Sequence, residues 1–115
     1  MKNLTVVLTF LFGLVLSANA LAKCPNESRF HSVEGKVQTS IRFVNDSEET
    51  VNVYWLDYQG KRVFYQTLAA GMSYEQPTYV SHPWVVEGYS CKGIFFPDAQ
   101  ARQVVIEDTK GDGVN

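Results

Sequence analysis

Only two histidines and two cysteines occur among the 115 residues. His31 and His82 stand in no zinc-ligand spacing with Cys24 and Cys91, so neither a metal site nor a cofactor is expected. Charge of one sign is equally scarce: 10 basic residues face 12 acidic ones, a net charge of −2. Without a basic patch, nucleic acid and anionic membrane surfaces drop out as expected partners. Beyond the amino terminus no stretch is apolar enough to span a bilayer, which takes about 20 residues. Internal repeats, low-complexity stretches and helical periodicity are missing from the rest of the chain.

Signs of catalysis are few. There is no nucleophile elbow and no metal-binding helix motif. Ser81 and His82 are neighbours, but neighbours on a strand point to opposite faces, whereas nucleophilic catalysis needs a base positioned beside the nucleophile. The acids Glu48 and Glu49 sit in a polar turn. Asp108-x-x-Gly111-Asp112-Gly113 faintly resembles a calcium loop, yet Lys110 stands where a ligand is needed and the final glutamate is lacking. The chain is not expected to be an enzyme.

What is present begins with Lys2, an apolar run from Leu4 to Leu16, and small residues from Ser17 to Ala20. This is the three-part pattern of a secretory signal peptide, with cleavage after Ala20 or after Ala22. A membrane anchor is the alternative, against which the shortness of the run counts. Leu21-Ala22-Lys23-Cys24 resembles a bacterial lipobox, but Lys23 occupies a position that needs a small residue. The expected organisation is a signal peptide at 1–22, a domain at 23–107 and a flexible tail at 108–115. Removal of the signal takes away Lys2 and no acid, leaving 9 basic and 12 acidic residues and a charge of −3. The protein is therefore expected to be periplasmic or extracellular.

An even cysteine count in an exported chain suggests a disulfide, here Cys24 to Cys91. Two free thiols or a metal pair are the alternatives. Asn26-Glu27-Ser28 and Asn45-Asp46-Ser47 fit glycosylation sequons, which matter only in a eukaryotic source.

From Lys23 to Glu34 the chain is polar and irregular. After Lys36 it reads as short strands between turns: 37–44, 50–56, 62–68, 72–80, 84–89, 93–96 and 101–107. Ile41 and Phe43 share one face of the first. In the third, Phe64 and Leu68 share a face and Val63, Tyr65 and Thr67 take the other. Pro77 marks the fourth as an edge or bulged strand. About seven such strands predict an all-β, antiparallel β-sandwich. Phe43, Trp55, Phe64, Phe95 and Phe96 are candidates to fill its core.

Within this pattern Phe43-x-Asn45-x-Ser47 is followed by Trp55-Leu56, Gly60, Tyr65-x-Thr67-Leu68 and Gly71, then by Tyr79, His82 and Trp84. In this order the stretch from Ile41 to Trp84 resembles the β domain of the von Hippel–Lindau tumour suppressor family. The resemblance implies a seven-stranded sandwich and an aromatic pocket that binds an extended peptide containing 4-hydroxyproline. Carried over by position, the pocket is Trp55, Tyr65, Thr78, His82 and Trp84. Thr78 replaces a serine and keeps its hydroxyl. Pro77 replaces a histidine that contacts the ligand backbone, which puts the main-chain contacts in doubt. The helical domain that recruits ubiquitin-ligase subunits in the eukaryotic protein has no counterpart here, so those partners are not expected.

Each pocket residue also has a structural reading. Trp55 shares strand parity with Val51 and Val53 and could be core. Tyr65 shares its face with Lys61 and Thr67, which favours partial exposure. His82 could be an exposed turn residue, Thr78 an ordinary strand residue, and Trp84 the packing tryptophan of the sandwich. The leading expectation is a module binding proline- or hydroxyproline-containing peptides. A structural or assembly role with an unused pocket is the alternative, and a small hydrolase the third.

Overall fold

The computed structural model describes residues 23–108. The expected signal peptide with both cleavage points, and all but Asp108 of the expected tail at 108–115, with most of the calcium-like loop, lie outside the described residues.

A short 3-10 turn, Glu27–Arg29, precedes seven strands: β1 (Gln38–Asn45), β2 (Val51–Leu56), β3 (Arg62–Leu68), β4 (Ser73–Tyr79), β5 (Trp84–Glu87), β6 (Cys91–Phe95) and β7 (Arg102–Ile106). Two sheets, ordered β4-β1-β7 and β3-β2-β5-β6, form a sandwich. All ladders are antiparallel except β1 with β7, which run parallel. Gly60 and Gly71 sit in turns with φ of +79° and +82°, a region where a side chain is strained.

Alternation builds the core. Ile41 and Phe43 of β1, Val51 and Val53 of β2, Trp84 and Val86 of β5, and Val104 and Ile106 of β7 meet between the sheets. Trp55 and Phe95 pack against this cluster while remaining partly exposed. Two expected core residues are not core. Phe64 is 55 % exposed and Phe96 is 40 % exposed. Phe96 lies beyond the end of β6 and meets Phe30 edge-on. Phe64 is displaced by a register change. Val53 lies opposite Gln66 while Tyr54 lies opposite Phe64, so Tyr65 is an extra residue on β3. Such a bulge reverses strand parity beyond it. Phe64 therefore turns to the outer face, against Tyr54. The simple alternation expected for β3 fails at this point.

The segment before β1 is irregular, as expected, but it is tied down. It covers part of the outer face of the second sheet, where Cys24 packs with Leu56 and Val85. Cys24 and Cys91 form a disulfide across a separation of 67 residues. Glu27 is 1 % exposed and forms an ion pair with Arg62.

Asn45 explains the Phe43-x-Asn45-x-Ser47 pattern. Its buried amide nitrogen donates to the Glu49 and Leu68 carbonyls at 2.8 and 2.9 Å. Its oxygen accepts from the Ser47 amide and hydroxyl at 3.0 and 2.6 Å. Every hydrogen-bonding position of the side chain is used, which leaves no room for a glycan at this sequon. Asn26, in the other sequon, is exposed. Asn45→Ala should lower stability by about 3 kcal/mol, since buried carbonyls lose their donors. A loss below about 1 kcal/mol by urea denaturation would show the network to be dispensable.

Candidate functional site

The site begins with the same bulge. With Leu68 facing the core, strict alternation would send Tyr65 outward. The extra residue instead brings Tyr65 to the inner face, edge-on to Trp84 at 4.9 Å and to Trp55 at 6.5 Å between ring centroids. Trp55 and Trp84 are direct partners across β2 and β5, so both rings project to that face. From the other sheet, Thr78 projects inward from β4 and is buried.

His82 is delivered by the turn after β4. Ser81 holds φ of +82°, uncommon for a residue with a side chain. The turn is secured by the His82 amide donating to Tyr79 and by Ser81 Oγ donating to the Val33 carbonyl at 2.8 Å. Ser81 and His82 thus occupy the connection between the fourth and fifth strands, where the expectation left them, but His82 is buried and not an exposed turn residue. The imidazole is buried between Trp55, Tyr58 and Tyr79, with centroid distances of 5.4 to 5.6 Å.

These five side chains line one cavity of about 390 Å³. Its walls include one edge strand from each sheet, β3 through Tyr65 and β4 through Pro77 to Tyr79. Tyr58, Gln38 and Thr39 complete the lining and were not anticipated. Tyr58 lies in a turn, and its place in the site comes from its ring, against Trp55 and His82, and from its hydroxyl, 3.4 Å from His82 Nε2.

The polar groups are oriented. Trp84 Nε1 donates to Thr78 Oγ1 at 2.9 Å, which leaves the threonine proton available to a ligand. Trp55 Nε1 donates to Ser32 Oγ at 2.7 Å, and Ser32 donates on to the Leu56 carbonyl. Burial pushes the His82 pKa below its ordinary value, against a weaker opposing hydrogen bond to the Val33 main chain. His82 is therefore neutral at pH 7, with one donor and one acceptor nitrogen.

The seven-stranded, two-sheet architecture agrees with a comparison against known families. Residues 30–102 match the VHL beta domain. The chain belongs to the VHL beta domain family. No curated protein matches the chain closely. In this family the β domain is a protein-binding module. The match begins at residue 30, so the Cys24 and Glu27 tethers of the amino-terminal segment lie outside it. The Cys24–Cys91 disulfide accords with an oxidising compartment. Among the described residues no helix is long and apolar enough to cross a membrane.

Proposed function

We propose that the chain is an exported module that binds an extended proline- or hydroxyproline-containing segment in the aromatic cavity. The observation that carries this reading is the convergence of Trp55, Tyr65, Thr78, His82 and Trp84 on one concavity. A prolyl ring is rigid and packs on tryptophan and tyrosine faces at little entropic cost. An added hydroxyl needs a donor and an acceptor, which Thr78 and a neutral His82 supply. Ser81 Oγ, next in sequence to His82, donates to the Val33 carbonyl and is not presented to the imidazole, which favours a binding role for His82.

The β4 edge adds little to affinity. Met72 O and Val80 N both face β1, so the odd-numbered positions between them face the open edge. Pro77 has no N–H there, and its carbonyl accepts from Gln76 Nε2. The Tyr79 carbonyl accepts from His82. A peptide strand added at this edge would be paired poorly, so the cavity must provide most of the binding energy.

Trp84 also belongs to the core cluster, which favours a partly structural role for that residue. The discriminating experiment is a calorimetric titration of the disulfide-bonded protein with matched proline and 4-hydroxyproline peptides. The hydroxylated peptide should bind about tenfold more tightly or better, because plain proline leaves buried polar groups unpaired. Thr78→Val should erase the difference. Affinity should fall as pH drops through the His82 value, below the ordinary 6.5, as the acceptor nitrogen is protonated. Equal and negligible affinity for both peptides would leave the structural reading in place.

A further inference from the structure

Beside Thr78 the cavity holds a second hydroxyl that the reading above does not use. Thr39 of β1 is the direct cross-strand partner of Thr78 on β4. Directly opposed residues project to the same face with Cβ atoms about 5 Å apart. Both threonines line the cavity. Thr39 Oγ1 is buried and makes no hydrogen bond with any described residue. Other buried polar side chains in and around the site are paired: Ser32 with Leu56 and Trp55, Thr78 with Trp84, His82 with Tyr58. A buried hydroxyl left unpaired costs about 1–3 kcal/mol. Because Thr39 lines the cavity, an occupant that reaches its hydroxyl can remove that cost. The space allows it, because 390 Å³ is several times what one five-membered ring fills.

We infer that the cavity recognises two adjacent polar substituents on the inserted ring, the first at Thr78 and His82 and the second at Thr39. The ligand class is then a peptide whose ring residue carries a vicinal diol or an equivalent neighbouring pair of hydrogen-bonding groups. Thr39 is the specificity-determining residue for the second group. Neither substituent is charged, since the two threonines and a neutral imidazole offer no full charge to pair with one. This inference rests on the peptide-binding reading and goes beyond it.

The test is a titration of the full, disulfide-bonded chain with three matched peptides containing proline, 4-hydroxyproline or 3,4-dihydroxyproline. The expected order is dihydroxylated over monohydroxylated by about tenfold, with proline weakest. Thr39→Val keeps the side-chain shape and removes only the hydroxyl. In that variant the two hydroxylated peptides should bind equally, the dihydroxylated one having lost its tenfold advantage. Its melting temperature should stay level or rise, because an unpaired buried group has been removed. Equal affinity of the parent for both hydroxylated peptides overturns the inference and leaves the peptide-binding reading standing. A Thr39→Val protein that melts well below the parent also overturns it, by showing that the hydroxyl has a structural partner. Binding of none of the three removes both.

Discussion

Arg62→Met is expected to destabilise the fold by about 3–5 kcal/mol, the range for stranding one member of a buried ion pair. The partner it strands is Glu27, 1 % exposed. Arg62 Nε and Nη2 donate to the two Glu27 oxygens at 2.8 and 2.7 Å, a bidentate arrangement. Arg62 Nη1 also binds Glu87. Without the guanidinium, Glu27 keeps only the Cys24 amide, at 2.8 Å. The pH response makes the variant diagnostic. Hydrogen bonds from Arg62, opposed by burial, hold the Glu27 carboxyl below its ordinary value of 4.5. In the parent this contributes stability that is present above the ordinary value and is lost as pH falls through the depressed one. In Arg62→Met, burial is opposed only by the weaker Cys24 hydrogen bond and Lys23 charge and is expected to lift the Glu27 value above the ordinary one. The variant should therefore regain stability on acidification from pH 7 to pH 5, where the parent's ion pair remains intact. Replacing both partners, Arg62→Met with Glu27→Leu, should recover much of the loss, because no charge is left buried alone. Urea midpoints of the three proteins at two pH values provide the measurement. A single-variant loss below about 1 kcal/mol would rank the contact with ordinary surface pairs.

Arg62 also shows where a reading of the sequence runs out. Each strand was legible because alternation and turn residues are local signals, and Pro77 marked β4 as an edge strand for a local reason. The bulge at Tyr65 was not legible. Nothing in Arg62-Val63-Phe64-Tyr65-Gln66-Thr67-Leu68 announces an extra residue, since a bulge is a property of the pairing with β2. That one residue accounts for two differences at once. Phe64 leaves the core, and Tyr65 enters the cavity although it shares no strict parity with Leu68. The ion pair was hidden for a similar reason: Glu27 lies in a polar segment without period, and its partner is 35 residues away. The five cavity residues were legible only as an ordered set resembling a family. Strand parity alone placed Trp55 as readily in the core, and the structure gives it both roles, packed on the core and lining the cavity. Thr39 and Tyr58 had no such cue, and their membership follows from three-dimensional proximity.

Removing the disulfide, by Cys24→Ser with Cys91→Ser, should cost about 4 kcal/mol, the chain-entropy value for a loop of this length. The effect should extend beyond stability, because the segment it anchors leads to the cavity. Cys24 is followed by Glu27 on Arg62, and then by Ser32. The Ser32 amide donates to the Asp57 carbonyl, and its hydroxyl both accepts from Trp55 Nε1 and donates to Leu56. Disulfide, ion pair and Ser32 thus hold one continuous strap, and the strap fixes the orientation of a cavity wall. Two results follow from treating it as a unit. Contacts that share an element are not additive. The loss in a protein lacking both the disulfide and Arg62 should therefore fall short of the sum of the separate losses, since a strap already released has less to lose. The Trp55 indole N–H should also exchange with solvent faster in the cysteine variant, under conditions where the domain remains folded, while the Trp84 indole, bonded to Thr78 inside the sandwich, should keep its protection. Exchange that accelerates equally at both indoles would mean that loss of the disulfide loosens the whole sandwich. Strict additivity would mean that the two tethers act on separate parts of the molecule, so that the amino-terminal segment is no single strap and its link to the cavity is incidental.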